Sequence, residues 1–297
     1  MRKFALLQGA FAVGIAVSAS VSGMVYAADS QVDQLGKEGV KLTTEGKFEE
    51  AIAKFSEVLK LDPNSADAYA NRAGAYDGEG RFRHAVLDAD KALKLNPKSK
   101  VAFVNRSWAW NKLGRYHQAI KDATHALSLD PESAMARVNR SHAYNHLGLY
   151  KKALADCNDA IAKNPNLTLA YTNRAHANAE LKHFDNALSD INKAIELDPK
   201  RSLSYNNRAF IYAQMGQFDK TIEDCNKALE MNPKLGSAYF NRSVAYEKLG
   251  KHDPSTSDLA KAKEFGYTES FNSLTDVHAH ETSKEASDSK KAKETSK

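Results

Sequence analysis

Three histidines are the side chains in this sequence whose spacing best suits metal chemistry. His142 and His146 stand at i and i+4, which puts two imidazoles on one helix face, and His176 matches His142 at a distance of 34 residues. Such a pair can ligate a metal, and without one it would gain charge at mildly acidic pH. The plainer reading is that these are polar residues of a groove, and no metal is expected. His278 and His280, near the C-terminus, are a weaker pair still. No nucleophile elbow, phosphate-binding loop, zincin helix or carboxylate pair with its own setting occurs. An enzymatic activity therefore has no residue to rest on, and neither enzyme chemistry nor a cofactor is expected.

A row of asparagines offers chemistry of a different kind. Asn71, Asn105, Asn139, Asn173, Asn207 and Asn241 recur every 34 residues, each followed by Arg. A carboxamide carries both a donor and an acceptor, the same pattern as a peptide bond. A line of six could grip an extended chain by its backbone. Alternatively, each could bond to a neighbouring helix and organise a stack. Both readings stand at this stage.

The elements that must position these residues follow from the same period. Pro63, Pro97, Pro131, Pro165, Pro199 and Pro233 are 34 residues apart, each preceded by Asp or Asn, and the Asn-Arg pairs begin eight residues after each proline. Within a unit, two helical patterns flank a glycine. One unit shows Tyr69, Ala73 and Tyr76, then Gly80 and Phe82, then Ala85, Ala89 and Ala92. Small residues on one helix let its partner approach closely, and the aromatics fill the space between them. The residue before proline is pushed out of the helical region, which ends the second helix.

The period, the aromatic-small-aromatic first helix, the alanines of the second and the closing proline resemble the tetratricopeptide repeat. The resemblance covers about seven units, roughly 32–65, 66–99, 100–133, 134–167, 168–201, 202–235 and 236–267. It implies an all-α, right-handed superhelical solenoid of helix-turn-helix hairpins with a concave groove lined by the first helices. It also implies a protein or peptide partner without naming one. The asparagine row looks like the ladder with which some superhelical members of this family hold peptides.

Several departures from the pattern carry expectations. The first unit has a polar first helix, with Gln34, Lys37, Glu38 and Lys41, as a solvent-facing cap should. The fifth unit has Asn178 in place of an aromatic and Lys182 in place of glycine, so its hairpin is expected to be looser. The seventh starts its second helix at Asp253-Pro254, and no amphipathic capping helix follows. Cys157 and Cys225 occupy equivalent second-helix positions two repeats apart, too far for a disulfide, and are expected as free buried thiols.

Two further rows complete the site. An Asp lies sixteen residues after each repeated Arg, from Asp88 to Asp258, and the first unit holds Glu38 and Lys54 at the same two positions with the charges exchanged. That swap favours an Arg–Asp contact inside each hairpin, structural in role. The stripe shared with the asparagines carries Val101, Trp108, Met135, His142, Leu169, His176, Leu203 and Phe210. Apolar residues on this second face must be covered by the superhelix itself or by a ligand. These residues and the six asparagines form the candidate peptide-binding groove.

Composition bounds the rest. A net charge of +5 over 297 residues gives no reason to expect nucleic-acid binding. Arg2 and Lys3 precede an uncharged stretch from Phe4 to Ala27, and Val25-Tyr26-Ala27 presents small residues where signal peptidase needs them. Residues 1–27 are expected to be a cleaved signal peptide, with a retained membrane anchor as the other reading. Both place the remainder outside the cytoplasm, periplasmic or secreted, and cleavage leaves no membrane insertion. Residues 28–267 form the solenoid, and 268–297, rich in Ser, Thr, Lys and Glu, read as a disordered polar tail. The expected function is an exported adaptor holding extended polypeptide in its groove. The alternative is an assembly component of an envelope export or biogenesis machine, docking through its convex face or C-terminal end.

Overall fold

The structure, a computed structural model, describes residues 19–267, with side chains from Ser30 onward. Most of the expected signal segment and all of the expected tail lie outside the described residues. Fourteen helices and no strand occur among those described. They pair as α1 (Ala19–Thr44) with α2 (Phe48–Leu61), α3 (Ala66–Gly78) with α4 (Phe82–Leu95), and α5 (Lys100–Lys112) with α6 (Tyr116–Leu129). Then follow α7 (Ala134–His146) with α8 (Tyr150–Lys163), and α9 (Thr168–Glu180) with α10 (Phe184–Leu197). The last pairs are α11 (Ser202–Gln214) with α12 (Phe218–Met231), and α13 (Gly236–Lys248) with α14 (His252–Glu264). No described helix is long and apolar enough to cross a membrane.

Each hairpin closes by local chemistry. Gly80, at φ 83°, takes the left-handed conformation, and the Arg81 amide bonds back to the Tyr76 carbonyl at 2.8 Å. Most second helices end at an Asp or Asn whose side chain accepts the amide two residues on, as in Lys98 N to Asn96 Oδ1 at 3.0 Å. The same bond forms at Asp62, Asp130, Asn164 and Asn232, which accounts for the Asp or Asn before five of the six repeat prolines. Ser65, Ser99 and Ser133 then cap the following first helices.

The fifth hairpin is not loosened, which corrects the expectation from its sequence. Lys182 adopts the left-handed turn at φ 63°, and the Asn178 amide donates to Asp190 Oδ2 at 3.1 Å. The polar side chain replaces aromatic packing with a bond across the same hairpin.

Small residues lie at the centre of the hairpins: in the second, Ala85, Ala89 and Ala92 are fully buried, with Phe82, Tyr76 and Trp110 packed in the same core. Cys157 and Cys225 are buried and unbridged in the equivalent columns. Every first helix touches the first helix of the next unit, whereas no second helix touches another second helix among the described residues. The first helices therefore form the inner wall of the solenoid and the second helices splay outside it. At the N-terminal end Gln34, Lys37 and Lys41 are exposed, as a cap requires. At the other end Phe265 and Tyr267 cover the last hairpin, with ring centroids 5.7 Å from Tyr239 and 4.8 Å from Phe240.

Candidate functional site

Four of the repeated asparagines tie the inner wall together, their amides bonding to the unit before. Asn105 Nδ2 donates to the Ala70 carbonyl at 2.9 Å. Asn139 donates to the Val104 carbonyl at 3.0 Å and to Ser107 Oγ at 2.8 Å. Asn173 repeats this with Val138 and Ser141 at 3.1 and 3.0 Å, and Asn241 donates to Asn206 Oδ1 at 3.0 Å. Asn139, Asn173 and Asn207 are buried. Gly74 makes room for the first of these contacts, because a Cβ there would sit 2.9 Å from Asn105 Nδ2.

A second amide row runs the opposite way and escaped the sequence reading. Asn111 donates to the Asn139 carbonyl and Asn145 to the Asn173 carbonyl, both at 2.8 Å. Its signal was an Asn six residues after the repeated one in the third and fourth units.

The arginines lock hairpin to hairpin. Each guanidinium clamps its Asp with two bonds, as in Arg140 Nε to Asp156 Oδ2 and Nη2 to Oδ1, both at 2.7 Å. Glu38 and Lys54 pair at 3.2 Å in the first unit, so the exchanged charges also meet. The remaining nitrogen, Nη1, reaches back to the preceding unit: Ser56, Asp90, Thr124, Asn158, Asn192 and Asn226 accept it in turn. These acceptors stand two residues after the paired position of each unit, a periodicity present in the sequence and unread there.

The histidines lie beneath the wall. His142 and His176 are buried, and a ring cluster surrounds them: Trp108 to His142 at 6.1 Å, His142 to His146 at 4.7 Å, and Tyr116 stacked on His146 at 4.4 Å. Burial pushes all three imidazoles down, helped at His142 and His146 by the neighbouring histidines and Lys112. His146 falls to about 3 and His176 to about 4. The expected charging at mild acidity is therefore corrected, because the desolvated rings stay neutral there. No group of three metal-ligating side chains forms among the described residues.

The wall bounds a cavity of about 650 Å³. It brings together Asn105, Trp108, Met135, Asn139, Leu169 and Leu203 of the predicted groove. Asn71, Asn173, Asn207, Asn241, His142, His176, Val101 and Phe210 are not on its surface; Val101 is exposed elsewhere and Phe210 is half-buried. Gly74, Asp77 and Gly78 of the second unit complete one side, and Arg201, at the end of the fifth, completes the other. Five successive units thus face one space. Lys112 Nζ lies 4.5 Å from the Trp108 ring centroid, a cation over an aromatic face. Asp77 and Arg201 were not foreseen as site residues. Burial holds the Asp77 carboxyl well above its ordinary range, against the opposing charge of Lys112. It also lowers the Arg201 guanidinium, against the opposing charge of Asp198.

Sequence profiles of the tetratricopeptide repeat match residues 39–80, 66–99, 112–168, 169–201 and 202–235. The chain belongs to the tetratricopeptide-repeat family. No curated protein sequence matches it significantly. Among solved structures, a tetratricopeptide repeat protein from Parabacteroides merdae ATCC 43184 is 19% identical, with TM-score 0.62, over 84% of this chain and 99% of that one. The APC/C hetero-tetramer Cut9-Hcn1 gives 14% identity and TM-score 0.68, over 82% of this chain and 47% of the other. Pseudomonas aeruginosa pilF gives 17% and 0.58, over 75% and 98%. At these identities the likeness establishes the fold alone. Its repeats make this tetratricopeptide-repeat protein a protein–protein interaction scaffold.

Proposed function

We propose that this tetratricopeptide-repeat protein is an exported adaptor that holds an extended polypeptide segment in its concave cavity. The observation that carries the reading is the cavity itself, with Trp108, Met135, Leu169 and Leu203 presented from four successive units. Met135, Leu169 and Leu203 stand at the same repeat position, so they form a row across α7, α9 and α11. Packed helices lie about 8–10 Å apart. A polyproline-II chain returns a side chain to the same face every three residues, after about 9 Å. A guest with an apolar residue at every third position therefore matches the row. Its burial would draw on roughly 1.5–3 kcal/mol for each well-covered apolar side chain.

The amides of Asn139 and Asn173 already bond to the preceding unit, so their removal would disturb the stack, and the test is aimed at the apolar row instead. Fluorescent nonapeptide pools, capped at both ends and apolar at every third position, are titrated against the purified protein. Met135→Ser with Leu203→Ser is expected to weaken binding at least about tenfold. Leu87→Ser, on a second helix and 66% exposed, is expected to leave it within about twofold. Equal losses from both variants would contradict the reading. Export rests on the features of residues 1–27. N-terminal sequencing of the protein recovered from its native cells is expected to begin at Ala28, and an intact Met1 start on soluble cytoplasmic protein would refute export.

A further inference from the structure

Neither packing nor repeat geometry explains Arg201 in the cavity wall. The same position holds Ser65, Ser99 and Ser133, which cap their helices, or Leu167 and Leu235. Leu235 is 1% exposed, so in that unit the slot takes an apolar plug. Arg201 does neither job. Its side chain makes no cap bond to α11, and its Nε is enclosed without a hydrogen-bond partner. The six ladder arginines each bond to an Asp and to a second acceptor, whereas no carboxylate among the described residues pairs with Arg201. Asp198 acts on it only through its charge.

Enclosing Nε without an acceptor is costly, and no carboxylate balances the charge of the guanidinium. A carboxylate entering the cavity would accept from the two terminal nitrogens in a fork geometry and balance the charge. The neighbouring charges favour that guest. Lys200 lines the same cavity, and Glu79 on its wall is already paired with Arg81 at 3.4 Å. Asp77 makes no hydrogen bond with Arg201, and the enclosure of both its oxygens favours the neutral acid there, so it sets no second negative charge against the guest.

We propose that Arg201 recognises a carboxylate side chain carried within the bound segment, so that the guest is an extended polypeptide with an Asp or Glu set among apolar residues. The proposal rests on the cavity reading above. A carboxylate could also come from the guest's own C-terminus, and the test separates the two sources.

Three nonapeptide pools are titrated by fluorescence polarisation against the full chain, all apolar at every third position. One is capped with Glu at the centre, one capped with Gln at the centre, and one has central Gln with a free C-terminal carboxylate. The capped Glu pool is expected to bind about tenfold tighter than the capped Gln pool, as a charge-assisted bond predicts. Arg201→Leu, which installs the residue found at this position as Leu167 and Leu235, is expected to erase that ratio while raising the melting temperature. Arg201→Gln is expected to erase it without adding apolar surface. Equal binding of the capped pools, still lost in the Met135 and Leu203 double variant, would overturn the role of Arg201 and leave the cavity reading standing. Preference for the free carboxylate alone, or a Glu preference that survives both substitutions, would also overturn it. Failure of every pool to bind would remove the proposal together with the cavity reading.

Discussion

Asp156 is 5% exposed and depends on Arg140 for its charge balance. Removing the arginine leaves a buried carboxylate uncompensated, so Arg140→Ala should cost about 3 kcal/mol or more in urea unfolding. Exchanging the pair, Arg140→Asp with Asp156→Arg, should recover part of that loss; damage equal to either single change would refute the contact. The histidine cluster makes a prediction of opposite electrostatic character. Its rings are neutral in the fold, with pKa values near 3 for His146 and 4 for His176 against an ordinary 6.5. Protonation therefore favours the unfolded chain. Stability is complete above pH 6.5 and should fall as pH drops toward 4, by about 1.4 kcal/mol per unit for each histidine held neutral. Unfolding midpoints between pH 7 and 4.5 measure this, and changing His142, His146 and His176 to Gln should flatten the slope. The histidines' spacing was legible in the sequence. Their burial was not, because it depends on Trp108, Tyr116 and Tyr150 arriving from adjacent units.

At the scale of the element, Lys182 is the one described non-glycine residue at positive φ, in a turn where other units use glycine. Lys182→Gly should stabilise the chain by about 1 kcal/mol, a gain in the thermal midpoint that loss of the Gln214 contact only partly offsets. The helix ends, the glycine turns and the alanine columns were all readable, since each depends on residues close in sequence. The fate of the asparagines was not. Their position on the helix turns away from their own hairpin, which suits either a guest chain or a neighbouring unit. Only the distance of closest approach between α5 and α7, or α7 and α9, decides that Val104 and Val138 carbonyls receive Asn139 and Asn173. Asn139→Ala should consequently cost about 1–3 kcal/mol and reduce the cooperativity of unfolding, as the loss of a nearest-neighbour interface does in a linear array. A calorimetric transition as sharp as that of the parent would contradict this role.

The whole molecule adds what no single unit contains. Curvature of the inner helices brings Gly74 and Asp77 of the second unit and Arg201 of the fifth around one cavity, across more than a hundred residues of chain. Periodic reading found Trp108, Met135, Leu169 and Leu203, because each sits at a repeated position. It passed over Arg201, whose meaning appears only once the solenoid closes a space around it. The central claim is that a guest chain lies against this inner wall. Trp108 lines the cavity, and the only other tryptophan, Trp110, packs in a hairpin core. In a Trp110→Phe variant, Trp108 is therefore the sole indole reporter. The most direct measurement is acrylamide quenching of Trp108 while the capped Glu pool is titrated in. Quenching should fall along a saturation curve with the same Kd as fluorescence polarisation. Peptide binding that saturates while Trp108 remains equally open to acrylamide would show that the guest lies elsewhere and contradict the account.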